Sequence, residues 1–121
     1  MKSVQNLCYE YSEKKGFNNN NLGLNLFRLM EEVCELFKEV YIDVNDCEVL
    51  RLIDSIDAME NRIKELKAKP LQDTSRIRRF NEFVKELTDV YRTTMVIAQS
   101  RGLDLPYEAA IQIGKDSELR K

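Results

Sequence analysis

Apolar residues return every three or four positions along this chain, and in five stretches they do so for long enough to specify a helix. Val4, Leu7, Cys8 and Tyr11 mark one face of a helix over residues 2–15. Lys14 and Lys15 suit its C-terminal dipole, and Gly16 can close it in the left-handed conformation. Asn18–Asn21 read as an exposed loop. A second helix over 24–41 carries Leu26, Phe27, Met30, Val33, Phe37, Val40 and Tyr41 as its core face. Asn45, with Glu48 three residues on, forms a capping box for a third helix. Its stripe is Val49, Leu52, Ile53, Ile56, Met59, Ile63 and Leu66, and it ends near Pro70, which disfavours helix at the residue before it. Asp73, Thr74 and Ser75 offer caps for a fourth helix to Ser100, with Phe80, Phe83, Val84, Leu87, Val90, Tyr91, Thr94 and Ile97 inward. Gly102 stops it, and Asp104 and Pro106 start a short last helix carrying Ala109, Ala110 and Ile113. No stretch reads as a strand. The pattern predicts an all-α fold, an antiparallel bundle in one domain over residues 1–121.

Length and composition agree. The chain has 121 residues, 43% of them hydrophobic and 33% charged, which is enough to bury one core and typical of a globular protein. No apolar run is long enough to cross a bilayer, and the first residues lack the apolar run of a signal peptide, so a cytoplasmic protein without a membrane partner is expected. The net charge of −2 argues against a nucleic-acid partner, and the basic patch Arg76, Arg78 and Arg79 reads as a solvated helix start. Cys8, Cys34 and Cys47 form no CxxC pair; Cys8 and Cys34, at helical spacing among apolar residues, read as reduced core residues. There is no histidine, which removes Ser-His-Asp and Cys-His catalysis and the commonest zinc and iron ligand sets. Chemistry is left to carboxylates, Lys, Arg, Tyr or a hard metal.

Two acidic clusters stand out. The second helix contains Glu31, Glu32 and Glu35, with Glu39 a turn on; the fourth contains Glu82, Glu86 and Asp89. Glu32 with Glu35, and Glu86 with Asp89, are pairs three residues apart, which share a helix face and repel by a few tenths of a kcal/mol, roughly. A cation between them reverses that sign. Each pair taken alone is a solvated acidic face; four carboxylates converging from two helices would make an oxygen-rich site suited to magnesium.

Leu29–Leu36, with Glu31, Glu32 and Glu35, followed by Glu86-Leu87-Thr88-Asp89-Val90, resembles the EExxE…ExxD signature of the MazG-like nucleotide pyrophosphohydrolases, in the all-α NTP pyrophosphatase superfamily. The turn Ala98–Leu105 followed by Ala109-Ala110 is similar to the family's turn into its last helix, and the resemblance covers residues 22–41 and 80–115. It implies magnesium, with manganese as a substitute, on Glu32, Glu35, Glu86 and Asp89, and Glu31 as general base toward the attacking water. It implies hydrolysis of a nucleoside triphosphate to monophosphate and pyrophosphate, in nucleotide-pool housecleaning, by a homodimer or homotetramer. Asn25, Arg28, Arg92, Lys115 and Arg120 are weaker candidates for holding substrate. The chain departs from the pattern in two places. Glu35 and Glu86 are 51 positions apart, so the helix over 46–68 looks like an insertion, and Asp116 stands where the last helix often has Asn. The third helix adds apolar surface to a four-helix pattern, which also favours an oligomer. The competing readings are a helical adaptor or antitoxin-like bundle whose carboxylates bind nothing, and a family member that binds nucleotides without hydrolysing them.

Overall fold

The computed structural model describes residues 2–69 and 76–119, with side chains to Gly114, and five helices make up its regular structure. They are α1 (Val4–Lys14), α2 (Leu22–Val40), α3 (Cys47–Lys67), α4 (Phe80–Ser100) and α5 (Leu105–Leu119), and no strand occurs among the described residues. None of these helices is long and apolar enough to cross a membrane.

Local chemistry sets most of the ends. The Ser3 hydroxyl accepts from the Asn6 amide to start α1, and the Asn21 side chain accepts from Leu24 to start α2. Asp46, one residue beyond the expected Asn45, caps α3: its carboxylate accepts from both Glu48 and Val49 N–H, and its charge complements the helix dipole. Gly16 and Gly102 take positive φ, 81° and 68°, and close α1 and α4 as their positions predict. After Gly102 the Leu103 amide returns to the Ala98 carbonyl at 2.9 Å. The Asp104 carboxylate then accepts from Tyr107 N–H at the start of α5, which is longer than the short helix expected. α4 begins at Phe80 with no side-chain cap; the expected caps Asp73, Thr74 and Ser75, and Pro70, lie outside the described residues.

The chain divides into two compact units: residues 1–19 with 77–121, holding α1, α4 and α5, and residues 20–76, holding α2 and α3. In the first, α1 packs on α5. In the second, α2 packs on α3. The described core is small. Cys34, Ile63 and Ala98 are its buried apolar residues, and Glu60 is the buried charged one. Several positions predicted to be inward are exposed: Leu26, Met30, Val33 and Val40 on α2 with Tyr41 at its C-cap, Leu52 and Met59 on α3, and Phe80, Val84, Leu87, Val90, Tyr91, Thr94 and Ile97 on α4. Cys8, expected in the core, is also exposed, whereas Cys34 is buried as predicted.

The reason on α2 lies in which face meets α3. Phe27, Glu31, Cys34 and Lys38, spaced four, three and four, form the covered face. The matching face of α3 is Ile53, Ile56, Glu60, Ile63 and Lys67. Glu31 meets Lys67 at 2.6 Å, and Lys38 meets Glu60 at 2.5 Å and Asp57 at 3.1 Å. Acid precedes lysine by seven residues on both helices, so an antiparallel pair brings each acid to the other's lysine. Cys34 and Ile63 fill the space between the two pairs. A buried ion pair is a weak source of net stability, but it penalises any register that leaves one partner unpaired. The apolar stripe of α2 lies round the helix from this seam: Val33 is one residue, and so about 100°, from Cys34.

Candidate functional site

The two acidic pairs lie in different units. In the second unit, α2 carries Glu32 and Glu35 one turn apart, both exposed and both off the face covered by α3. Among the described residues no lysine or arginine closes on either of them. Among the described residues, then, no side-chain cation offsets their mutual repulsion, a condition under which a bound divalent cation gains most.

Glu31 differs from its neighbour. Its side chain is 15% exposed, and its Oε1 is taken by the Lys67 ammonium. That bond ties the candidate base to α3 and fixes the direction of its carboxylate. Asn25 and Arg28, one turn earlier, pair with each other through Arg28 Nη1 and Asn25 Oδ1 at 3.1 Å.

In the first unit, α4 carries Glu86 and Asp89. Both have a cation on their own helix: Lys85 Nζ is 3.6 Å from Glu86, and Arg92 Nη2 is 3.6 Å from Asp89. Lys85, Glu86 and Arg92 are largely exposed and Asp89 is partly so, so the contacts are worth little, about 0–1 kcal/mol each, and yield readily to a stronger ligand. Arg92 thus sits on the carboxylate of Asp89. Lys115 lies in α5, but its side chain and Arg120 fall outside what is described.

The donor set is all oxygen and suits magnesium better than a softer metal. Among the described residues no group of three or more His, Cys, Asp or Glu side chains stands together so as to hold a metal ion. A cavity of about 450 Å³ opens at the α4–α5 turn beside Ala98, Gly102 and Pro106, and another of about 300 Å³ between Tyr11, Lys15 and Gln112. Among the described residues, no predicted site residue lines either one.

The residues that sequence reasoning passed over are the cations of the α2–α3 seam, Lys38 and Lys67, with the buried Glu60. Glu60 is 6% exposed and Cys34 3%. Burial pushes the Cys34 thiol above its ordinary pKa, with Glu60 adding to the rise and Lys38 opposing it. Hydrogen bonds to Glu60 and Asp57 hold the Lys38 ammonium above its usual range. A signal was present: Glu31 to Lys38 and Glu60 to Lys67 repeat the same acid–base step of seven on helices joined by a short turn. No family model, no curated protein and no solved structure matches this chain.

Proposed function

We propose that this chain is a magnesium-dependent nucleoside triphosphate pyrophosphohydrolase that acts in nucleotide-pool housecleaning. The observation that carries the reading is the exposed Glu32–Glu35 pair: two carboxylates one turn apart, unpaired by any described cation, inside the segment that resembles the EExxE motif. Glu86 and Asp89 on α4 correspond to the ExxD half of the motif. Magnesium held by carboxylates of this kind would neutralise phosphate charge and favour in-line attack at the α-phosphorus. Glu31, oriented by Lys67, takes the proton of the attacking water. Arg92 and Arg28 lie one turn from the acids and offer charge to phosphate oxygens.

The test is release of pyrophosphate, as distinct from orthophosphate, from a panel of ordinary and modified NTPs and dNTPs with and without magnesium. Magnesium-dependent pyrophosphate is the expected result. It should fall at least about 100-fold in Glu32→Gln, since even outer-shell changes cost 10–100-fold at metal sites. No release from any nucleotide with magnesium or manganese refutes the reading.

A second reading, a helical interaction module whose carboxylates bind nothing, is favoured by the amount of apolar surface that α2 and α4 expose. Magnesium separates the two. The enzyme gains thermal stability from it in proportion to RT ln(1 + [L]/Kd), and the module does not.

A further inference from the structure

We propose that α3 supplies a phosphate-binding edge to the candidate site: Lys64 and Lys67 hold oxygens of a polyphosphate whose magnesium ion is held by Glu32 and Glu35 on α2. This rests on the pyrophosphohydrolase reading above, and it deepens that reading by assigning substrate-binding residues to a helix that lies outside both segments resembling the motif.

The geometry of the α2–α3 seam carries the inference. Glu31 meets Lys67 and Lys38 meets Glu60, so the helices run antiparallel in a register that sets Lys64 at the level of Cys34 and Glu35. Round α2 the order is Cys34, then Glu31, then Glu35; round α3 it is Ile63, then Lys67, then Lys64, with the same rotational sense about each helix's own direction. Because the two directions are opposed, both series open to the same side of the seam. Exposure follows the same order. Cys34 and Ile63 are 3% and 5% exposed, the Glu31 and Lys67 side chains 15% and 30%, and Glu35 and Lys64 are exposed. The result is a groove with the Glu31–Lys67 pair on its floor, carboxylates on one bank and an ammonium on the other. Glu32 stands one turn before Glu35 on the acidic bank, further from α3.

The two banks ask for different things. Glu32 and Glu35 repel each other and gain from a divalent cation. Among the described residues no acid pairs with Lys64, although Glu35 faces it across the groove. An ammonium has three donors, and on Lys67 Glu31 takes one, which leaves donors on a side chain that reaches solvent. A magnesium–polyphosphate complex presents a cation and several anionic oxygens at once, and lysine serves phosphate as a point charge without demanding one geometry. Lys64 and Lys67 are ~4.5 Å apart along α3, and Glu31 and Glu35 ~6 Å along α2, so the groove is the length of a short polyphosphate and not of a single phosphate.

The test uses Lys64, because Lys67 also holds Glu31. Inorganic triphosphate with magnesium is titrated into the full chain by calorimetry, alongside pyrophosphate release from an NTP. Lys64→Met should weaken triphosphate binding and raise KM for the NTP by about 10-fold each, the loss of one charge-assisted contact, with kcat little changed because the contact is the same before and during the reaction. Lys64→Arg should restore most of both. Arg62→Met, on the face of α3 turned away from α2, should change neither. If the native chain turns over NTP and Lys64→Met leaves KM and triphosphate binding as they were, the inference is overturned and the pyrophosphohydrolase reading stands. If the native chain releases no pyrophosphate but binds magnesium triphosphate through Lys64, the reading falls and the groove remains a polyphosphate site. No binding of magnesium triphosphate by the native chain overturns the inference outright.

Discussion

Glu31 stands at the point where stability and chemistry separate, and a double-mutant cycle with Lys67 tells them apart. The two side chains meet at 2.6 Å with 15% and 30% of their surfaces exposed. Exposed pairs contribute about 0–1 kcal/mol, and loss of one partner from a fully buried pair costs about 3–5 kcal/mol. This pair lies between the limits, and a hydrogen bond to a charged group is worth about 1.5–3 kcal/mol. Glu31→Gln and Lys67→Gln should each destabilise by about 1–2 kcal/mol, with a coupling of about 1 kcal/mol in the double variant. The assay is urea unfolding followed by circular dichroism, where the midpoint should fall and the slope stay constant. Exchanging the charges, Glu31→Lys with Lys67→Glu, should recover most of the lost stability. If Glu31 is also the base, the exchanged protein folds but releases no pyrophosphate; if its role is only to hold α3, release survives. Additive single effects, with no coupling, would refute the claim that these two groups fix the α2–α3 register.

Two further outcomes follow from the same seam. Cys8 and Cys47 should react promptly with a thiol reagent at pH 8 while Cys34 reacts only on unfolding, since it is buried and its thiol is held above the usual range; equal rates for all three would show that α2 and α3 do not pack as described. Lys38 has its pKa raised in the folded state above the ordinary 10.5, so its contribution is fully present below that value and is lost as pH rises through the higher folded pKa. Urea midpoints measured upward from pH 9 should therefore decline more steeply in the native protein than in Lys38→Met, and parallel curves would contradict the assignment.

The periodicity and the punctuation of this sequence determined the number of helices and most of their ends. Gly16 and Gly102 act where they stand because only a residue without a Cβ takes positive φ cheaply, and that is a property of one position. Caps are nearly as local: Asn45 and Asp46 both had the right chemistry, and the difference of one residue was settled by which side chain reached two amides at once. The acidic pairs on α2 and α4 were equally legible, because residues three apart share a face on any helix.

Burial was a different matter. The stripe Leu26, Met30, Val33 and Val40 has the periodicity of a core face, yet α3 covers the flank bearing Glu31, Cys34 and Lys38. Periodicity reports that a face is apolar; it carries no information about which neighbour arrives or at what register. Those depend on contacts between residues far apart in the chain, here the matched steps Glu31 to Lys38 and Glu60 to Lys67. The same holds for Glu31, which the motif marks as a base and the packing gives to Lys67. Helix formation is decided within a few turns of chain, whereas the partner of each face is decided only when two helices meet, because the free energy of an ion pair or a buried stripe belongs to both sides at once.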